Sequence, residues 1–386
     1  MIIKINYYNF IMRRIKLILD NKISKPNNSK KLYNIVNNYS KDYNKYKDLQ
    51  VDNFINSISL VKPKLIITKM TMEYNKPIHS IQDLLDLINH VDIIENVNYN
   101  FDIKALYKIK DSLIKLNNLI GMQDLKNDVL NQLLFYVQNL HTNGGLDFMH
   151  TVLYGSPGTG KTEVAKIIGA IFSDLGILPK KTFKKVVRSD LIAGYLGQTA
   201  LKTNKVIQES LGGVLFIDEA YALGNDEKRD SFAKECIDTL CEALSNHKDN
   251  LMVIIAGYEK ELNSCFFNFN PGLRSRFPWV FKTDNYTAGD LKDIFFKKVN
   301  DIKWTIDSSI TETFFKENMK YFHFYGRDME VLLLKTKIAH GRRVFSLNNK
   351  TKTHIVKEDI EYGLKLFIKN NYEVEQVNNT ILHLYN

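Results

Sequence analysis

"GSPGTGKT", Gly155 to Thr162, has glycine at three of its eight positions and ends on a lysine and a threonine. It matches the spacing G-x-x-x-x-G-K-[ST] of a phosphate-binding loop. Taken alone the match is a Gly-rich turn, and its setting gives it meaning. "HTVLYG" before it is a short apolar run of strand character, and "TEVAKIIGAIFSDL" after it has helical spacing. A strand that turns through such a loop into a helix N-terminus is the context this chemistry requires. Glycines let successive backbone N–H groups curl around phosphate oxygens, and the helix end adds positive potential. Gly155, Ser156, Pro157, Gly158, Thr159 and Gly160 are the expected cradle of a bound nucleotide. Lys161 is expected on its β- and γ-phosphates, and Thr162 on Mg²⁺ through its hydroxyl.

Downstream, "FKKVVR", "GVLFID" and "LMVIIAG" read as further strands. "TALKTNKVIQES" and "SFAKECIDTLCEALSN", between them, read as helices. Strands alternating with helices imply a parallel sheet covered on both faces, and nearly unbroken apolar runs are its central strands. "VLFIDEA" closes one of these runs on an acidic pair. Asp218 stands where it can orient a Mg²⁺ shell, and Glu219 where it can polarise an attacking water. The simpler reading is an acidic pair that caps a strand end. Its place downstream of the P-loop favours hydrolysis of ATP by water over transfer to a small acceptor.

Two arginines, Arg274 and Arg276, stand in "NPGLRSRF", and Arg327 opens "GRDME". An arginine offered to a neighbour's γ-phosphate neutralises charge in the transition state. Solvated surface arginines are the plain alternative for all three.

In this order, P-loop, acidic strand end, "NPGLRSRF" and "GRD" helix, the chain resembles the AAA+ ATPases. "YGSPGTGKT", "AGYLGQTALKT", "GGVLFIDEAYAL" and "IIAGY" are similar to the branch that contains the red-type Rubisco activases and the stage V sporulation protein K group. The resemblance covers about residues 119–345 and is absent before about residue 100. It implies a sheet of strand order 5-1-4-3-2 flanked by helices, with a small helical lid domain after it. It implies Ile120 and Gly121 at the adenine, Lys161 and Thr162 on phosphate and Mg²⁺, and Asp218 with Glu219 as the hydrolysis pair. Arg276 becomes the finger with Arg274 assisting, and Arg327 the lid arginine. One departure stands out. Many members place an asparagine at the end of the fourth strand, where this chain has Gly257 and Tyr258.

Tyr195 is odd for a core residue, because Gly194 and Gly197 flank it and glycine backbone holds a side chain loosely. The resemblance places Tyr195, Leu196 and Gly197 in the loop that lines the pore of a ring. There an exposed aromatic grips a polypeptide by apolar contact. The alternative is a tyrosine packed under its own domain.

Beyond this core, the pattern divides the 386 residues into five parts. Residues 1–60 form a basic, low-complexity arm with 11 Lys and Arg against 4 Asp. Residues 61–118 read as mainly helical, with 78–118 the strongest stretch. The nucleotide-binding α/β unit runs over 119–286 and the helical lid over 287–370, opening on the capping signature Thr287 to Asp290. A tail, 371–386, follows. The three cysteines form no CxxC pair, which argues against a zinc site or disulfide framework and for a reducing compartment. No apolar stretch is long enough to span a membrane. An intracellular, cytoplasmic protein is expected, with organelle targeting left open.

The expected function is an ATP-hydrolysing motor that remodels or threads a protein substrate through a homo-oligomeric ring, a hexamer. The rival is a nucleic-acid motor or loader that uses the basic arm.

Overall fold

The structure, a computed structural model, describes residues 70–369 apart from 73, 75, 92, 94–96, 143–146, 196, 225–229 and 346–351. The described residues from Thr71 onwards belong to one compact unit, and everything below concerns it. The basic arm, the tail and Leu196 lie outside the described residues.

Five short strands make the central sheet: β1 (Thr151–Tyr154), β2 (Phe183–Val186), β3 (Val214–Ile217), β4 (Met252–Gly257) and β5 (Trp279–Lys282). Their order is β2-β3-β4-β1-β5, and every pairing is parallel. Read from the other edge this is 5-1-4-3-2, the order expected from the resemblance. β1, β3 and β4 are buried along their whole length, which is why they read as apolar runs.

The pleat sends alternate residues to two separate cores. Leu153, Phe216, Ile254, Ala256 and Phe281 face one side, against α3 (Gln123–Val137) and α4 (Lys161–Asp174). Val152, Leu215, Ile217, Val253 and Ile255 face the other, against α5 (Thr199–Ser210) and α6 (Ser231–Asn246). Each Val, Leu, Ile or Phe among them contributes about 1.5–3 kcal/mol by leaving water.

Upstream, the stretch expected to be helical over 78–118 holds two helices, α1 (Ile81–His90) and α2 (Ile103–Asn117), with a short strand, Val97–Tyr99, between them that pairs with Met70–Met72. Each helix has its own start signal. Ser80 and Asp83 form a capping box at α1, and Asp102 accepts from the Ala105 N–H at α2. The apolar spacing on both sides of the break hid it. After the sheet come α7 (Ala288–Asp301), α8 (Glu312–Glu317), α9 (Gly326–Val344) and α10 (357–369). Thr287 and Asp290 close the capping box at α7 that their spacing predicts. Among the described residues, no helix is long and apolar enough to cross a membrane.

His150, just before β1, shows how tightly the sheet is closed. Its ring is wholly buried; Nδ1 accepts from the Val253 N–H (3.1 Å), and Nε2 donates to the Leu244 carbonyl (3.2 Å). Burial pushes its pKa down to about 4. The unfolded chain binds a proton near the ordinary value, so this contribution is present above about pH 6.5 and is lost as pH falls towards 4. Thermal unfolding should show a loss on the order of 2 kcal/mol between pH 7 and pH 5. The same scan of His150→Asn should be flatter across that window, at lower stability throughout.

Candidate active site

The carboxyl ends of β1, β3 and β4 open into a cleft of about 500 Å³. It is lined by Gly158, Gly160, Lys161, Thr162, Asp218 and Glu219, and also by Leu119, Ile120, Tyr286 and Ile294. Lys297, Lys298, Asp301 and Glu330 of the segment after the sheet complete the lining. An apolar slot and a cationic loop within one cleft are the elements that a base and its phosphates require.

The loop's shape follows from its glycines. Gly158 (φ +75°) and Gly160 (φ +84°) hold left-handed backbone, and Gly160 caps α4. The N–H groups of Lys161 and Thr162, which line the cleft, start α4 with no intrahelical acceptor, whereas Glu163 and Val164 already donate to the Gly160 carbonyl. Lys161 donates to the carbonyls of Gly155 (2.8 Å) and Ser156 (2.7 Å). Burial pushes its pKa below the ordinary lysine value, against the pull of Asp218 and Glu219. Gly155 and Thr159 sit beneath the loop, not on the cleft wall. A Cβ on Gly155 would fall 1.8 Å from Thr283 Oγ1, and that hydroxyl donates to Thr159 Oγ1 at 2.9 Å.

Glu219 is exposed and takes a left-handed conformation (φ 52°, ψ 45°) that a glutamate seldom adopts. This turn lifts its carboxylate out of the strand direction and into the cleft, beside Asp218. Gly121 packs against Tyr286 and Asp290 while its neighbour Ile120 lines the slot.

Arg327 reaches the cleft from α9. The start of α9 is locked to the P-loop: the Gly326 N–H donates to the Gly158 carbonyl at 3.1 Å. Arg274 and Arg276 do not line the cleft. Arg274 donates to the Tyr154 hydroxyl (2.8 Å) and lies over the Phe267 ring. Arg276 donates to Ser245 Oγ (2.7 Å) and to the Gly272 carbonyl (2.5 Å). Tyr195 is 75% exposed, with Gly194 and Gly197 in open space, so it is not packed under its own domain.

Sequence reasoning missed Tyr221 and Tyr286. Tyr221 is held where a Cβ on Gly257 would come within 2.8 Å of its ring, and Tyr286 donates to the Thr159 carbonyl at 3.3 Å. Burial and the nearby Glu219 push the Tyr221 phenol pKa up, so it stays a donor. Tyr221 stands inside the quoted "GGVLFIDEAYAL", but nothing in that stretch assigns it a role; Tyr286 belongs to no recognisable motif, and the fold brings both to the cleft.

Fold and cleft together define a P-loop nucleotide-binding protein. The profile of the ATPase family associated with various cellular activities (AAA) matches residues 151–284. A cfxQ-like protein of Acanthamoeba polyphaga mimivirus is 38% identical over 289 residues, which are 74% of this chain and 71% of that protein. The chain belongs to the AAA family of ATPases. Stage V sporulation protein K of Bacillus subtilis is 37% identical over 48% of this chain and 59% of its own length. The ESX-3 secretion system protein EccA3 of Mycolicibacterium smegmatis is 46% identical over 38% of this chain and 24% of its own. This chain thus spans less than two thirds of those last two proteins.

The lock at Gly158 yields a test. A Cβ there would stand 1.9 Å from the Phe324 carbonyl oxygen, and φ is left-handed as well. Gly158→Ala should weaken nucleotide binding at least tenfold by calorimetry. Gly341→Ala, at a helical glycine with open space around it, should leave binding unchanged.

Proposed function

We propose that this ATPase works as a ring, a hexamer of identical subunits, that remodels or threads a protein substrate through its pore. One observation carries the reading. Lys161, Thr162, Asp218, Glu219 and Arg327 share a cleft from which both arginines of "NPGLRSRF" are absent. A finger that cannot serve its own site fits a head-to-tail interface, and such an interface forms a ring when its rotation closes.

The roles follow from placement. The loop amides and Lys161 bind the phosphates, and the apolar slot at Ile120, with Gly121 behind it, holds the base. Glu219 accepts a proton from the attacking water, and Arg327 steadies the γ-phosphate from α9. Arg276 of one subunit, assisted by Arg274, neutralises charge at its neighbour's site. Thr162 and Asp218 offer hard oxygen donors on one wall of the cleft, which fits Mg²⁺ held by one carboxylate, one hydroxyl and the substrate's phosphates. Mg²⁺ bound there would supply charge neutralisation at the phosphates.

Tyr195 supports a polypeptide substrate. Its loop is pinned at the base: Ala193 N–H donates to Thr199 Oγ1, Thr203 Oγ1 to the Leu191 carbonyl, and Lys202 to the carbonyls of Ser189 and Ile192. A firm base beneath an exposed aromatic suits a gripping device. The name of the EccA3 relative sets that protein in a secretion system. A nucleic-acid motor or loader is the second reading, and the basic arm favours it. Binding to DNA or RNA through that arm would weaken steeply with added salt.

Glu219→Gln should bind ATP as the wild type does and lose turnover by about 10²–10⁴-fold. Arg276→Ala and Lys161→Ala subunits, each inactive alone, should regain part of the turnover when mixed. Full activity from a strictly monomeric preparation would end the ring reading.

Tyr195→Ala should keep ATP binding and thermal stability yet lose unfolding of a tagged substrate, while Tyr195→Phe retains it. A melting temperature lowered by several degrees in Tyr195→Ala would instead assign the ring to packing. ATPase stimulation by nucleic acid but not by unfolded protein would favour the second reading.

A further inference from the structure

Asp218 already has a cation. On the edge strand β2, Lys185 lies across the ladder from Phe216, and Val186 across from Ile217. Lys185 therefore shares a face with Phe216, and its ammonium sits 5.8 Å from that ring. It reaches past the end of β3 to Asp218 Oδ2 at 2.6 Å. Lys184, one residue earlier, points to the opposite face and pairs with Glu209 on α5. Lys161, the lysine of the P-loop, bonds to loop carbonyls and leaves Asp218 to Lys185.

We propose that Lys185 is a positioning residue for the nucleotide reaction. Its ammonium holds the Asp218 carboxylate in the nucleotide-free protein and yields it when Mg²⁺ arrives with the nucleotide, so Lys185 sets the Mg²⁺ requirement for binding. The inference rests on the reading of Asp218 as the Mg²⁺ carboxylate.

The physical basis is competition between two cations for one carboxylate. The Lys185 side chain is 47% exposed and that of Asp218 23%, so water screens the pair and its contribution is small. A long, flexible lysine stem can swing its ammonium back into solvent without moving the strand. The pair is thus strong enough to orient Asp218 towards the cleft and weak enough to be displaced. Removal of Lys185 leaves the carboxylate open to the divalent ion.

The test is binding of a fluorescent ADP analogue to the full-length protein across a Mg²⁺ titration. Lys185→Met should lower the Mg²⁺ midpoint by about two- to fivefold, the range of an exposed ion pair. Lys185→Gln should shift it in the same direction. Lys184→Met removes the same charge from the same strand and should leave the midpoint in place. Asp218→Asn should raise the midpoint and, combined with Lys185→Met, erase the shift. An unchanged or raised midpoint in both Lys185 variants overturns the proposal, as does an equal shift in Lys184→Met. A shift from Lys185→Met that survives in the Asp218→Asn background overturns it too. If Asp218→Asn alone leaves the midpoint unmoved, the Mg²⁺ assignment itself falls. If that variant moves it and the Lys185 variants do not, only the role of Lys185 falls.

Discussion

The contact between Gly158 and the segment before α9 governs the rest of the molecule. Two backbones meet there with no side chain between them, and the Gly158 carbonyl takes the Gly326 N–H. Tyr325 pays for the approach with an unusual conformation (φ 45°, ψ −110°), and the Phe324 N–H is tied to the Asp328 carboxylate at 2.6 Å. Asp328 is buried, and burial holds its pKa above the ordinary aspartate value. The phosphate-binding loop and the helix that carries Arg327 thus form one piece of structure. Any movement of the loop at Gly158 would reach the start of α9 directly, through the one backbone hydrogen bond that joins them.

The sheet brings the remaining chemistry to this junction. β1 and β3 flank β4, so the P-loop and the acidic pair leave the sheet on either side of Gly257. The Gly155 N–H donates to the Gly257 carbonyl at 3.2 Å, which ties the loop to the β4 end. At β5, Thr283 underpins the loop through Thr159. Each contact is short-ranged, and together they hold the loop in one shape. In the proposed reaction this is the preorganisation on which charge-stabilising catalysis depends.

Much of this was legible in the amino-acid sequence because the motifs are local. A P-loop needs its glycines at fixed spacing, and buried parallel strands need unbroken apolar runs, so both leave a mark on a few consecutive residues. Asp218 and Glu219 were legible because they end such a run. The break between α1 and α2 was not, since apolar spacing continues on both sides of it. Tyr286 and Lys185 were invisible for a different reason. Their partners, Thr159 and Asp218, are distant in the chain, and no local pattern marks a residue that matters only through topology. Tyr221 stood in a quoted stretch, but its place against Gly257 depends on the fold. The arginines of "NPGLRSRF" were visible as residues, while their absence from the cleft depended on the path of the loop before β5.

The pinned loop around Tyr195 has a mechanical corollary. The amide of Ala193 and the hydroxyl of Thr199 are 3.2 Å apart, so the segment between them is a closed span with both feet on one anchor. Six residue steps of at most about 3.6 Å give a contour near 20 Å, and a span that returns to its origin can project only about half of that. An extended polypeptide advances about 3.3 Å per residue. In the proposed threading, a tip that reaches about 10 Å from its anchor can swing a gripped chain by no more than about six residues from one side to the other. A longer stride then requires rotation of whole subunits, with the loop riding on them as a short pawl.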